Sequence, residues 1–384
     1  MTTVALQPVQ SDRKLVLAGQ LAFIPTGVLT TLLGPTLSIL IARWTLTDIQ
    51  AGNLFLVQFL AQLAGVQLSV ILLARVGFRP PFLVGLLLMA LGVSTFFSGA
   101  AWLGFVSVAI YGLGLGCIIP TDNLLVAEVA PGSKSSAVSL LNFFWGVGAV
   151  ACSLLVSWCN KHGLMPMFLG LVALSLVLLF LAVRDYPFPG AVKSTGPTVD
   201  WAAIWRSPAT WLFAVVFFVY PGVETAVGGW VGSYVGRMAA HEAQMAALMP
   251  AFFWFAMMMG RWPGSLLLPH LPEHRLLQAG FALATAGIAI LLWRPTLEGV
   301  IGGTLLTGLS YATLYPITVA RLSQRYGVAA RNLGSIMFAL AALGPATIPW
   351  LVGVISHATG NLRAGLEVPL VGTVLLLLIH LWNW

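Results

Sequence analysis

The chain is 384 residues long, 59% hydrophobic and only 8% charged, with 18 Lys+Arg against 11 Asp+Glu and a formal net charge of +7. Soluble domains carry about 25% charged residues, so this composition excludes a soluble enzyme, a disordered chain and a disulfide-stapled secreted domain. The solvent of this chain is lipid. Its positive charges stand singly between apolar stretches and form no phosphate-tracking patch, which excludes a nucleic-acid partner.

The N-terminus ends in Asp12-Arg13-Lys14, and the apolar run that follows is too long for a signal-peptide core, so it is expected to be retained as a first span. A bilayer core takes about 20 apolar residues per helix. That ruler predicts twelve spans, at 16–42, 50–74, 81–100, 102–129, 136–158, 164–183, 209–236, 243–268, 276–293, 297–320, 333–356 and 366–384. The long interruption, 184–208, holds Pro187, Pro189, Gly190, Lys193 and Gly196, then a segment with Trp201 and Trp205 one helical turn apart. Such a segment suits a short helix lying in the membrane interface. The fold expected is an all-α polytopic membrane protein, with a six-helix bundle at 1–183, a linker at 184–208 and a second six-helix bundle at 209–384.

Counted over the links, thirteen Lys/Arg fall on the side of the N-terminus and five on the other. The positive-inside rule then places both termini and the linker in the cytoplasm, in what is expected to be a bacterial inner membrane. Cys117, Cys152 and Cys159 read as small apolar filler. The histidines, His162, His241, His270, His274, His357 and His380, fall at span ends or links. Neither set has metal-ligand spacing. No Walker-type phosphate loop and no nucleophile–base pattern appears, so neither ATP hydrolysis nor enzymatic catalysis is expected, and no cofactor or metal.

The two halves repeat at a shift of 196 residues. Pro25 maps onto Pro221, Gly112-Leu113 onto Gly308-Leu309, Pro120 onto Pro316, Ser139 onto Ser335 and Gly148 onto Gly344. Prolines and glycines within spans mark bends and close approaches, so their repetition predicts two bundles of one backbone geometry. Duplicated bundles imply a substrate site near the midplane and alternating access.

Charges inside a bilayer are costly and mark function. Of the acids within predicted spans, Glu298 and Glu367 stand at span starts, which leaves Asp122, Glu128 and Glu224 as candidates. Glu224, near the middle of span 7, has Tyr220 one turn before it and Gly228 one turn after. A carboxylate beside an aromatic ring suits a neutral, hydroxyl-rich ligand; the alternative is a structural hydrogen bond to a neighbouring helix. Asp122, in the inner half of span 4, is a candidate to load and release a proton, or else to cap backbone freed by Pro120. Gln58 and Gln62 share a face of span 2. Asn123, Asn142 with Trp145, Trp230, and Tyr311 with Tyr315 complete the candidate substrate site. No Lys or Arg occupies the centre of a predicted span, which argues against phosphate esters and dicarboxylates.

The link after span 2 reads Leu72-Leu73-Ala74-Arg75-Val76-Gly77-Phe78-Arg79, which resembles the cytoplasmic glycine–arginine loop of the major facilitator superfamily, and Gly260-Arg261 stands at the matching place of the second half. The resemblance implies that Arg75, Arg79 and Arg261 gate the inner side. The loop's usual acid is Ala74 here, leaving Glu128 to partner Arg75. Gly114-Leu115-Gly116-Cys117, Asn123 and Pro131 in span 4, with Tyr220-Pro221-Gly222-Val223-Glu224, Gly228-Gly229-Trp230 and Tyr234 in span 7, resemble the fucose–proton symporter family. That family's two carboxylates have no counterpart: span 1 holds no acid, and Ile119 takes the place of the other. Ion coupling therefore falls to Asp122 or Glu224.

The function expected is a monomeric secondary transporter moving a neutral monosaccharide, a hexose, by proton-coupled symport. The alternatives are a sodium-coupled or uncoupled sugar transporter, and a multidrug or amphiphile exporter of the same fold, which Trp145, Trp254, Met257, Met258 and Met259 would suit. A receptor or sensor is disfavoured, because no link is long enough to fold into a signalling domain.

Overall fold

A computed structural model describes residues 12–97, 99–131, 134–191, 201–238, 243–267, 272–326 and 330–382. Lys193, Gly196, His241 and His270, and the side chains of Trp201, Arg331 and Ser335, lie outside the described residues. Among those described, all regular structure is helical. The first half holds α1 (Arg13–Thr31), α2 (Leu33–Trp44), α3 (Asp48–Val76), α4 (Arg79–Thr95), α5 (Ala101–Val129), α6 (Lys134–His162) and α7 (Met165–Val183). After the short α8 (Trp201–Arg206), the second half holds α9 (Pro208–Met238), α10 (Ala243–Leu267), α11 (Glu273–Trp293), α12 (Leu297–Tyr311), α13 (Leu314–Tyr326), α14 (Ala330–Thr359) and α15 (Leu362–Leu381).

Each predicted span has its helix, and two of them are bent pairs. Span 1 breaks at Leu32 between α1 and α2, and span 10 breaks at residues 312–313 between α12 and α13. A proline lies three or four residues beyond each break, Pro35 and Pro316. Its ring collides with the carbonyl four residues back and it lacks the N–H that carbonyl needs. At the first break Thr36 Oγ1 donates to the Leu32 carbonyl at 2.6 Å. At the second, the Ala312 N–H reaches the Leu309 carbonyl at 3.4 Å, a tighter turn than the α-helix makes. Helix starts are capped where the sequence supplies a side chain: Asp12 accepts from the Lys14 and Leu15 N–H groups, and Thr47 and Gln50 form a reciprocal capping box. At the foot of α9, Trp205 of α8 packs against Trp211 with tilted rings whose centres are 5.2 Å apart, and its carbonyl takes the Trp211 indole N–H at 3.0 Å.

The two halves repeat each other's helix crossings, and glycine marks each one. A Cβ on Gly65 would strike the Leu113 carbonyl, and one on Gly260 the Leu309 carbonyl. Gly85 faces Gly114 and Ile118 as Gly280 faces Ser310 and Leu314, and Gly92 faces Ser107 and Tyr111 as Gly287 faces Gly303 and Thr307. Gly148 abuts the Ile24 carbonyl as Gly344 abuts that of Phe218. Side-chain-free surfaces let the backbones approach and supply the packing that lipid-solvated helices need in place of a hydrophobic drive.

Across the halves, α3 packs on α14, α6 on α10, and α2 on both α9 and α10. On the face opposite the termini, here called the far face, Gly34 approaches the Gly228 carbonyl and Gly52 that of Trp350. On the terminal face no comparable contact joins α5 to α12 or α13 among the described residues. The halves therefore meet at the far face and part toward the terminal face.

Candidate functional site

At mid-span the apolar helices of both halves carry half-buried polar side chains, where an unsatisfied polar group is costly. From the first half come Thr30 (α1), Gln62 (α3), Asn123 (α5), and Asn142 and Trp145 (α6). Asn123 and Asn142 are tied to each other at 3.4 Å, and each also donates to its own helix, to the Ile119 carbonyl at 2.8 Å and the Val138 carbonyl at 2.9 Å. The Trp145 indole N–H points to Thr30 Oγ1 at 3.5 Å, and its ring meets Trp254 of α10 edge-on at 5.5 Å, bridging the halves. Behind this wall Gln58 is fully buried. It donates to the Thr30 carbonyl at 3.1 Å and accepts from the Tyr111 hydroxyl at 3.0 Å. Gln58 thus braces the wall, and Gln62, whose Oε1 has no partner, is the glutamine of that face left to offer a hydrogen bond.

The second half contributes Glu224 (α9), Arg261 (α10) and Tyr315 (α13), all half-buried. Tyr220 stacks on Tyr315 at 6.1 Å and meets Tyr311 edge-on at 5.4 Å. Glu224 lies within electrostatic reach of all three tyrosines and of Arg261. The result is one carboxylate and one guanidinium set among phenol rings.

Other candidates fall elsewhere. Trp230 and Tyr311 are fully buried. The Trp230 indole donates to the Pro349 carbonyl at 2.9 Å, and the Tyr311 hydroxyl pairs with Thr373 Oγ1 at 2.7 Å. The Tyr220 hydroxyl donates to the Tyr311 carbonyl at 2.9 Å and also lies within hydrogen-bonding reach of Glu224, so Tyr220 stays with the Glu224 cluster. In this conformation Trp230 and Tyr311 are struts that turn their polar atoms to neighbouring helices, against the expectation that they offer them to substrate. The reason is general: a buried indole or phenol must place its proton somewhere, and in lipid the nearest acceptor is a helix carbonyl. Asp122 is fully buried between α1 and α5, next to Gly19, with no hydrogen-bond partner on either oxygen, so it does not line the gap. Among the described residues no group of three or more His, Cys, Asp or Glu is arranged to hold a metal.

The wall also contains residues the sequence analysis did not single out as site residues. Thr30 and Tyr111 carry no signal beyond being polar in an apolar run. Trp254 stood out only for the exporter alternative.

The sequence profile described as Major Facilitator Superfamily matches residues 21–349, most of the chain and both halves of this architecture. The chain belongs to that superfamily. It is a membrane transporter and not an enzyme. It is 23% identical over 363 residues to the glucose/mannose transporter GlcP of Bacillus subtilis, covering 88% of this chain and 86% of that one. It is 24% identical over 323 residues to a glucose/galactose transporter of Brucella abortus, covering 75% and 74%. Among solved structures it is similar to the nucleoside transporter NupG, with a TM-score of 0.80 at 12% identity over 96% of this chain and 99% of that one. It is also similar to the Escherichia coli fucose:proton symporter FucP, with a TM-score of 0.63 at 19% identity over 96% and 98%. At these identities the structures attest the fold.

Within the superfamily's loop motif, Arg79 donates to the Arg184 carbonyl and lies 3.9 Å from Asp185, both at the start of the linker. The Phe78 N–H reaches the Pro189 carbonyl at 3.4 Å, and Phe82 packs on Phe188. The loop is thus held by the linker. Arg75 is exposed and makes no ion pair with Glu128 among the described residues, as suits a terminal face that stands open. Arg261 needs correction. Gly260 contacts Leu309 as Gly65 contacts Leu113, so Arg261 matches a position well inside α3 and not the loop that follows it. It is an intramembrane cation within electrostatic reach of Glu224, so the second half does carry a positive charge inside the membrane, although no Lys or Arg stands at the centre of a predicted span.

Proposed function

We propose that this transporter moves a neutral hexose by alternating access, with a proton carried in symport. The observation that carries the substrate class is the charge balance of the gap. Gln62, Asn123, Asn142, Thr30 and Tyr315 offer uncharged hydrogen bonds, Trp145 offers a stacking face, and Arg261 offsets Glu224 while the carboxylate is ionised. In that state an anionic or cationic ligand would find no uncompensated counter-charge, whereas a polyol gains paired donors and acceptors. The sugars named for the Bacillus and Brucella relatives support this class.

Glu224 is the proposed proton carrier. It is the carboxylate on the gap, so solution reaches it when the terminal face is open, and Arg261 is positioned to hold it once the proton leaves. Asp122, sealed between α1 and α5, is the second candidate. The terminal face is assigned to the cytoplasm of a bacterial inner membrane on the thirteen-to-five distribution of Lys/Arg, and the functional unit to a monomer.

The test is uptake of labelled glucose, galactose, mannose and fucose into proteoliposomes, with and without an inward proton gradient. Accumulation of one hexose that collapses with the gradient is expected. Glu224→Gln should abolish accumulation, while Asp122→Asn should spare it. Equilibration without accumulation would reduce the protein to a uniporter. Absence of hexose flux from vesicles that move a lipophilic cation would overturn the sugar assignment in favour of the exporter, for which the Trp145–Trp254 corner with Met258 beside Gly146 supplies an apolar surface.

A further inference from the structure

At the far face a charged cluster ties the two halves together. Asp48, in the first turn of α3, belongs to the first half; Arg237, near the end of α9, and Ser356, near the end of α14, belong to the second. Arg237 Nη1 donates to Asp48 Oδ2 at 3.0 Å, and Nη2 donates to Oδ1, so the pair is two-pronged. Ser356 Oγ donates to Asp48 Oδ2 at 2.5 Å. The Asp48 side chain is 13% exposed and that of Arg237 39%. Gly353, one turn before Ser356, lets α14 close onto the Asp48 carbonyl. Arg79 and Arg184 also pair with Asp185, in the exposed loop on the terminal face.

We propose that Asp48, Arg237 and Ser356 form the latch that holds the far side shut while the gap is open to the terminal side, and that it must release before the far side opens. The inference rests on alternating access and not on the identity of the cargo. Two-pronged arginine–carboxylate pairs are directional, and partial burial shields this one from the screening that weakens exposed pairs. Its position matters as much as its strength. For the far side to open, α9 and α10 must part from α2, and Arg237 travels with the end of α9. A cleft of about 560 Å³ runs beside the latch between the halves, lined by Ser38 and Arg43 of α2, Asn160 of α6, Ser233 and Arg237 of α9 and Ala246 of α10. Opening would widen this cleft and uncover Ser233, now 2% exposed.

The experiment reads that exposure. Ser233→Cys is introduced with Cys117→Ala, Cys152→Ala and Cys159→Ala, and its rate of modification by a membrane-impermeant maleimide from the far side is measured. Asp48→Asn and Arg237→Gln should each raise the rate about tenfold, an opening equilibrium shifted by about 1.4 kcal/mol. The double variant should exceed neither single, because both remove one interaction. The charge exchange Asp48→Arg with Arg237→Asp should bring the rate back toward the parent's. Ser356→Ala, which removes one hydroxyl and leaves the fold's charges in place, should give a smaller rise and keeps the latch testable where a charge variant fails to fold. Rates for all variants within about twofold of the parent, or single effects that multiply in the double, would overturn the latch. Labelling requires no substrate, so a failed hexose assignment would show in the flux measurements alone and leave this pattern intact.

Discussion

Replacing Gly344 with Ala tests whether the two halves are built on one crossing. At this position a Cβ would overlap the Phe218 carbonyl oxygen and stand 2.9 Å from its carbon and 3.3 Å from the Gly222 nitrogen. Gly148 repeats the geometry in the first half, where the Cβ would overlap the Ile24 carbonyl oxygen, 2.9 Å from its carbon and 3.1 Å from the Val28 nitrogen. Carbon contacts are comfortable at about 3.5–4.0 Å, and these neighbours are backbone, so no rotamer change relieves the overlap. The helices must separate instead. Overpacking costs roughly 1–3 kcal/mol, and the better helix propensity of Ala offsets about 1 kcal/mol of it. The net expected loss is up to about 2 kcal/mol for either variant. Gly170 in α7 and Gly302 in α12 supply the contrast, because a Cβ there meets nothing within 4 Å; Ala at those sites should stabilise by roughly 0.5–1 kcal/mol. Thermal unfolding of the four purified single variants, followed by tryptophan fluorescence in one detergent at one scan rate, orders them. Gly148→Ala and Gly344→Ala should unfold below the parent and close to each other, with Gly170→Ala and Gly302→Ala at or above it. Equal midpoints for all four would refute the claim that these glycines are set by backbone contact between helices.

Tyr111→Phe should destabilise the protein by about 1–3 kcal/mol by leaving the buried Gln58 Oε1 without its donor. Combining it with Gln58→Leu should cost less than the sum of the singles in the same thermal assay, whereas additive losses would mean the two side chains act independently. Trp230→Phe keeps the ring and removes the indole donor to Pro349, so the unfolding midpoint should fall while hexose affinity in the folded fraction stays within about twofold. A large affinity loss at unchanged stability would return Trp230 to the substrate wall. Trp145→Ala removes both the Thr30 contact and the Trp254 edge, and is expected to weaken hexose binding at least about tenfold by tryptophan quenching; unchanged binding would remove this corner from the site.

Hydropathy, proline positions and lysine–arginine placement are additive properties read along the chain, so the number of crossings, their approximate ends and the pairing of two halves were legible without coordinates. Within a span the same signal fails. Helices such as α7 and α5 are apolar on every side, so no periodic stripe tells which face meets lipid and which meets a neighbour. For that reason Trp230 and Tyr311 looked identical in kind to Trp145 and Tyr315, although the first pair is fully buried and bonded to neighbouring helices and the second is half-buried. The breaks at Leu32 and Ala312 depend on whether a proline's clash is absorbed or turned into a bend: Pro25 and Pro221 sit in unbroken helices while Pro35 and Pro316 do not. Arg261 was assigned to the loop on the glycine–arginine resemblance, although the 196-residue shift itself places it opposite Gly65, inside α3, and the glycine contacts agree with that shift to within one residue. Asp48, Arg237 and Ser356 lie far apart in sequence, and nothing local to any of them announces the others. By itself the sequence determined a lipid-soluble, duplicated bundle with a few costly polar groups at mid-span. Only tertiary structure decided which of those groups face the gap, because in an apolar solvent a polar side chain is satisfied by whichever helix packs beside it.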